Sequence, residues 1–239
     1  MEMLVHLLYP DRCPGCGKVC EGGGMCETCQ PRVRFAEEPL CFGCGKPLEH
    51  EEEEYCADCR RYVHSFTCGR GGFLYEDPVK ESIHKIKYRN KREYLEYFGK
   101  ELSERLGGKI REWDPEVLIP VPMYPADRRK RGYNQSEFLA GIMEEELEIP
   151  VFANAVKKVQ KTRNQKELSP QMRRKNLSQA FVINPDILTA EGALPWKRIL
   201  VVDDVYTTGS TVDAMAEVLK QYGAEKVYFA VICIGKGDS

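Results

Sequence analysis

Two groups of residues in this 239-residue sequence have the types and spacing to do chemistry. The first is I-L-V-V-D-D-V-Y-T-T-G-S-T-V at positions 199–212, where two adjacent carboxylates stand just ahead of a run of hydroxyls around a glycine. Thr207, Thr208, Ser210 and Thr211 offer hydroxyls, and Gly209 lets the backbone approach an anion closely. Together they read as a cradle for a monophosphate. An ionised carboxylate can only accept hydrogen bonds, so Asp203 and Asp204 suit vicinal hydroxyls rather than phosphate. A diol, a phosphate and Mg²⁺ close by describe a ribose 5-phosphate derivative. The plainer alternative is a polar turn between a strand and a helix, well supplied with N-cap residues.

The second group is cysteine. Ten of the 11 cysteines precede position 69, and eight of them form four C-x-x-C pairs: Cys13 with Cys16, Cys26 with Cys29, Cys41 with Cys44, and Cys56 with Cys59. Each pair puts two sulfurs on one side of a tight knuckle, and eight thiolates make two tetrahedral sites at a Zn–S distance of about 2.3 Å. The repeat of a C-x-x-C-G-K knuckle followed by a second pair favours two sequential zinc ribbons, with a cross-brace pairing as the alternative. Four-cysteine sites have no open position and are structural. Cys20 and Cys68 read as small buried or partly buried residues, and His6, His50 and His64 as surface histidines.

The elements that must position the first group follow from hydropathy. The apolar run 199–202 is too short for a helix and fits a buried parallel strand, with the acids directly after it. Val212, Met215, Ala216, Leu219 and Tyr222 share one face of a following helix, Gly223 closes it, and 227–234 supplies a neighbouring strand. At the carboxyl end of such a strand, loop amides and a helix N-terminus converge. The loop has neither the lysine of a P-loop nor G-x-G-x-x-G, which weakens nucleoside triphosphate and dinucleotide readings. Upstream, Asp77 and Pro78 start a helix with Val79, Ile83 and Ile86 inward; a longer helix carries Leu95, Phe98, Leu102, Leu106 and Ile110, interrupted by Gly107 and Gly108. A strand at 117–121 then ends in a proline-rich break and a basic loop, R-R-K-R-G-Y-N-Q.

The expected architecture is α/β: a mostly parallel sheet flanked by helices over residues 63–239, preceded by a cysteine-rich double zinc ribbon over 1–62. No run of apolar residues is long enough to span a membrane and the N-terminus lacks a signal peptide's pattern, so the expectation is a soluble, cytoplasmic protein. In a reducing compartment clustered cysteines are metal ligands before they are disulfides. The formal net charge of -2 hides an asymmetry: residues 119–182 carry 12 Lys and Arg against 7 Asp and Glu, and should draw anions. Within that span 157–181 has eight basic residues and one acid, a segment expected to be mobile and to close over an anionic ligand or track a nucleic-acid backbone.

Taken together, the double cysteine module, V-P-M-Y-P, R-G-Y-N-Q, Q-K-E-L-S-P-Q-M-R-R-K-N-L and V-D-D-V-Y-T-T-G-S-T resemble the ComF family of bacterial competence proteins over nearly the full chain. The resemblance implies a type I phosphoribosyltransferase fold behind a double zinc ribbon, and a role in taking up single-stranded DNA during natural transformation beside a helicase-like ATPase. By position it implies phosphoribosyl pyrophosphate (PRPP) with Mg²⁺ as ligand. Asp203 and Asp204 would bind the ribose, and Thr207, Thr208, Gly209, Ser210 and Thr211 the 5-phosphate. Arg131, Gly132, Tyr133, Asn134 and Gln135, with Arg163, Gln165, Arg173, Arg174 and Asn176 of the basic segment, would form the pyrophosphate side. Tyr206 departs from the aliphatic residue usual in that motif. No residue stands out as a base for catalysis, so an active phosphoribosyltransferase and a binding module that keeps the fold remain the two alternatives.

Overall fold

A computed structural model of the chain describes residues 10–20, 22–160 and 180–236. Its centre is a four-stranded sheet in the order β1 (Cys68–Leu74), β6 (Lys226–Ile234), β5 (Arg198–Tyr206) and β2 (Val117–Pro120), with every pair parallel. Between Ile199 and Val202, and from Val227 to Ile234, every residue is buried, because helices cover both faces and no strand can alternate polar with apolar. One face packs against α2 (Val79–Tyr88), α3 (Tyr94–Trp113) and α5 (Gln135–Leu147), where Leu118, Leu200, Val202, Ala230 and Ile232 meet Ile83, Phe98, Leu102 and Leu139. The other packs against α6 (Ser210–Gln221), where Val201, Phe229 and Val231 meet Val212, Met215 and Leu219. The expected stripes of α2, α3 and α6 are buried as the periodicity requires, and α3 runs through Gly107 and Gly108 without a break.

Strand β2 lies at the edge of the sheet, where Pro120 needs no partner for a missing N–H. Its outer side is covered by the segment at 150–152: Leu118 N–H donates to Pro150 O at 2.8 Å and Phe152 N–H to Leu118 O at 2.9 Å. A short antiparallel pair, β3 (Val156–Lys158) and β4 (Phe181–Ile183), stands apart from the sheet. Residues Arg163, Gln165, Arg173, Arg174 and Asn176 of the expected basic segment lie outside the described residues.

Three local expectations are corrected. The acids do not follow the strand but belong to it: β5 continues to Tyr206, because β6 offers a partner of equal length and pairs Asp203 with Val231, Val205 with Cys233 and Tyr206 with Ile234. The basic stretch R-R-K-R is not a loop but the body of a short helix, α4 (Pro125–Arg131), begun by proline at N1 and ended by Gly132. Asp77 does not cap α2; Pro78 occupies the N-cap position with no side-chain cap.

Ahead of the sheet, Cys13, Cys16, Cys26 and Cys29 form one cluster, and Cys41, Cys44, Cys56 and Cys59 a second, the last two flanking the start of α1 (Ala57–Arg61). Ligand atoms in each lie within 4.8 Å of one another, so the pairing is sequential and the cross-brace is ruled out. The Cys16–Cys26 and Cys44–Cys56 sulfurs are 3.7 and 3.5 Å apart. A tetrahedral Zn–S₄ centre has an edge of about 3.8 Å, so both donor sets fit Zn²⁺. Cys20 and Cys68 are half-buried, as expected for residues outside the clusters.

Candidate functional site

At the carboxyl ends of β2 and β5 the polypeptide opens into a groove of about 980 Å³. Pro122, Met123 and Tyr124 leave β2 on one side, Asp203 to Thr207 leave β5 on the other, and α4, the start of α5 and the end of α2 close the rim. Adjacent strand residues project oppositely, and the two acids accordingly find different partners. Asp203 Oδ1 accepts from Ser136 Oγ at 2.8 Å, in the first turn of α5, and from the Asp204 N–H at 2.9 Å. Asp204 Oδ2 faces Lys87 Nζ across 2.9 Å. That contact pairs the two charges, and the buried Asp204 Oδ2 has no other hydrogen-bonding partner among the described residues. A buried carboxylate oxygen with unused accepting capacity, at a groove, is what an incoming hydroxyl would satisfy.

The charges respond to this setting. Burial, and then the charge of Asp204, push the Asp203 carboxyl up to about 6. Burial works against the charge on Lys87, but the neighbouring Asp204 carboxylate outweighs it and the lysine is held above its ordinary range. Lys158, at the end of β3, also lines the groove; its burial lowers it, partly offset by Asp203 and Asp127.

The hydroxyl segment forms a second, adjoining hollow bounded by residues 205–212. Gly209 occupies the N-cap of α6 at φ +77°, and a Cβ there would stand 2.6 Å from the Tyr206 hydroxyl. Only glycine fits both demands. Tyr206 fills the space beneath the loop, its ring stacked on Phe229 at 4.7 Å between centroids and edge-on to Phe66 at 6.1 Å. The departure from an aliphatic residue is therefore accommodated by an aromatic stack. Thr208 and Ser210 hydroxyls are 2.9 Å apart, and Thr207 and Thr211 line the main groove as well.

The residues around R-G-Y-N-Q divide. Arg131, hydrogen-bonded to Gln135 Oε1, and Asn134 with Gln135 line the groove. Asn134 also caps α5, accepting from Ser136 N–H at 3.2 Å and donating to Val121 O at 3.0 Å. Gly132 is the left-handed C-cap of α4, and Tyr133 donates to Ile86 O at 2.6 Å, anchoring the end of α2. These two build the rim rather than face the groove.

Lys87, Ser136 and Lys158 line the candidate site and are missed by sequence patterns. Lys87 and Lys158 sit in short, lysine-rich strings, and their meeting with the diacid depends on contacts more than forty residues apart in sequence. His64, expected at the surface, is another correction. Its side chain is buried against Asp213 of α6, Nδ1 to Oδ2 at 2.7 Å, and stacked on Phe66, while Ser65 N–H donates to the other oxygen at 2.8 Å. The acid on the first turn of α6 draws the histidine inward.

Comparison with known proteins places this geometry. Residues 4–60 match the double zinc ribbon domain and residues 134–239 the phosphoribosyl transferase domain. Over 211 residues the chain is 30% identical to Competence protein F of Haemophilus influenzae, covering 85% of this chain and 87% of that protein. The chain belongs to the ComF family of competence proteins. Other members are the DNA utilization protein YhgH of Escherichia coli K12, 28% identical over 88% of this chain and 90% of its own, and Competence protein ComFC of Bacillus subtilis, 25% identical over 83% and 79%. As in the family, a phosphoribosyltransferase domain with a parallel sheet and flanking helices follows a double zinc ribbon. Among the described residues no helix is long and apolar enough to cross a membrane.

Proposed function

We propose that this ComF-family chain acts in DNA uptake during natural transformation, in the cytoplasm, and that its groove binds PRPP with Mg²⁺ or a related ribonucleotide. The observation that carries the ligand reading is the buried Asp204 Oδ2, paired with Lys87 alone, beside Asp203 at the same groove as the hydroxyls of Thr207 and Thr211. Two carboxylates accept the 2- and 3-hydroxyls of a ribose. The N-terminal amides of α6, with Thr208, Ser210 and Thr211, hold the 5-phosphate. Lys87 limits the repulsion between the acids, and Lys130, Arg131 and Lys158 face the pyrophosphate side. Mg²⁺ is bound through one or two carboxylates together with substrate phosphates, and Asp127 and Asp203 line the groove as that donor class. Bound with PRPP, the ion would neutralise its pyrophosphate.

The names of the relatives support the uptake role, and the basic surface supports contact with single-stranded DNA. The groove chemistry itself argues for a free ribosyl phosphate: an internal DNA sugar lacks the 2′-hydroxyl and its 3′-oxygen is esterified, so it has nothing to donate to the diacid. DNA would instead meet the exposed Arg128 and Arg129 of α4, which do not line the groove, with a helicase-like ATPase as the motor that moves the strand.

Calorimetric titration of PRPP with Mg²⁺ tests the ligand reading. Asp204→Asn should lose about 2 kcal/mol of binding, the order of a charge-assisted hydrogen bond. Affinity equal to wild type would sink the assignment. Pyrophosphate release over a panel of bases, measured on the same samples, separates turnover from binding alone.

A further inference from the structure

Two adjacent carboxylates facing a groove are the donor class that collects a divalent cation. Here a cation of the chain itself is already in place. Lys87 Nζ lies 2.9 Å from Asp204 Oδ2, with the two side chains 23% and 5% exposed. The lysine is held there. Its neighbour Ile86 is fully buried, and the Ile86 carbonyl accepts from the Tyr133 hydroxyl at 2.6 Å, which fixes the last turn of α2 over the diacid. Asp203 is fixed separately, with Oδ1 accepting from Ser136 Oγ and from the Asp204 N–H. Among the described residues, the only groups of three or more Cys, His, Asp or Glu close enough to share a metal ion are the two cysteine sets. No third ligand joins Asp203 and Asp204.

These contacts treat a metal ion and a sugar differently. A divalent ion approaching Asp204 meets the ammonium as a second cation at the same oxygen, and must displace it from a largely buried setting. A hydroxyl carries no charge and donates to a remaining lone pair of the same carboxylate, with the ammonium left where it is. The ammonium also serves the pair electrostatically, because two buried carboxylates side by side do not both stay ionised unaided. Burial and the Asp204 charge push Asp203 up to about 6, and Lys87 works against that rise.

We infer that Lys87 sets the specificity of the diacid: its ammonium stands in for a metal ion at Asp203 and Asp204, so that the pair takes an uncharged vicinal diol directly and rejects a free divalent cation. The inference rests on the ribose-phosphate reading of the groove and adds that the sugar end needs no metal of its own. Mg²⁺ then enters only with a pyrophosphate, whose oxygens complete its coordination. Lys87 acts through the two acids and is a positioning residue.

The test uses the zinc-loaded full chain in buffer free of other metal ions and follows two titrations by calorimetry: ribose 5-phosphate with and without Mg²⁺, and Mn²⁺ alone. Wild type should bind ribose 5-phosphate with the same affinity whether or not Mg²⁺ is present, and should show no Mn²⁺ site that Asp204→Asn removes. Lys87→Met, an uncharged side chain of similar length, should bind ribose 5-phosphate about tenfold more weakly without metal, the order of one charge-assisted interaction lost. It should regain most of that with Mg²⁺ and acquire a Mn²⁺ site. Lys87→Arg should keep the wild-type pattern with both ligands, a rescue by charge that a packing role would not give. A wild-type affinity that rises about tenfold with Mg²⁺, or a wild-type Mn²⁺ site lost in Asp204→Asn, overturns the inference even where Lys87→Met fails to fold. Undiminished, metal-independent binding in Lys87→Met overturns it as well and leaves the sugar-phosphate site standing. Absence of ribose 5-phosphate binding in wild type, with and without Mg²⁺, overturns the groove reading and the inference with it.

Discussion

The two zinc ribbons share a ligand pattern and a pairing, yet they stand in different places. In the first, Cys13 and Cys29 are buried, Cys16 is exposed and Cys26 half-buried, and the ribbon meets the other core cluster through Met25 and through Lys85 Nζ to Gly15 O at 2.6 Å. In the second, Cys41, Cys44 and Cys56 are buried in the same hydrophobic cluster as Val201, Tyr206, Met215, Phe229 and Val231. That cluster lies directly under the loop at 207–211, with Tyr206 and Val212 on either side of it. Burial in that cluster holds the Tyr206 hydroxyl well above its ordinary range. The chain leaving the second ribbon is then tied to α6 by His64 and Ser65 on Asp213. Identical metal chemistry thus supports a more exposed module in one case and the floor of the candidate site in the other.

The largest difference should follow loss of a ligand. Cys44→Ser should bring zinc from about two to about one per chain, lower the melting temperature sharply and abolish PRPP binding, since a structural Zn²⁺ contributes on the order of 10 kcal/mol to its own folding unit. Cys16→Ser should lose the same equivalent of zinc and retain PRPP binding; equal loss of binding in both would erase the distinction. Next come the matched glycines of the two knuckles, Gly17 at φ +79° and Gly45 at φ +75°. A Cβ at Gly17 meets only the Tyr94 hydroxyl at 3.9 Å, whereas at Gly45 it meets the Gly69 carbonyl at 2.7 Å. Gly17→Ala should cost about 1 kcal/mol of backbone strain and Gly45→Ala about 3 kcal/mol or more, read by thermal denaturation. Similar costs would show that the second knuckle can move away from β1.

Smaller again is the tie between module and loop. Asp213→Ala strands the buried His64 and the Ser65 N–H, and should cost about 2 kcal/mol of stability and weaken PRPP binding severalfold. A stability loss with unaltered affinity would separate the ribbon from the phosphate loop. The smallest effect belongs to Asp203, within β5. Its folded-state carboxyl is raised to about 6, above its unfolded value, so its favourable contribution to stability is complete below about pH 4 and is lost as pH rises through about 6. Diol binding needs the ionised form and runs the other way, weakening as pH falls through about 6. Asp203→Asn should remove both trends; Cys16→Ser should alter neither.

The make-up of the candidate site and of the cysteine clusters was legible in sequence because it is local. Two acids, a glycine that must take a positive φ and four hydroxyls occupy nine consecutive positions, and the eight cysteines are spaced by knuckle geometry. What escaped was long-range. Lys87 reaches Asp204 only because α2 ends over the sheet, and no periodicity in K-I-K-Y marks it. The extension of β5 through the diacid is decided by pairing with β6, whereas the apolar run stops at Val202. His64 looked like a surface residue because its partner is 149 positions away. The R-R-K-R string lacks any apolar face from which a helix could be read, and Pro125 and Gly132 bracket it.

Recognition of a ribose diol by Asp203 and Asp204 is the claim on which the ligand, the groove and the role of the second ribbon all depend. Titration of the zinc-loaded wild-type chain with ribose 5-phosphate and with 2-deoxyribose 5-phosphate isolates it, because the two ligands share the phosphate and differ by one hydroxyl. Ribose 5-phosphate should bind about tenfold more tightly, the value of one charge-assisted hydrogen bond, and the preference should vanish in Asp204→Asn. Equal affinities in wild type would contradict the account.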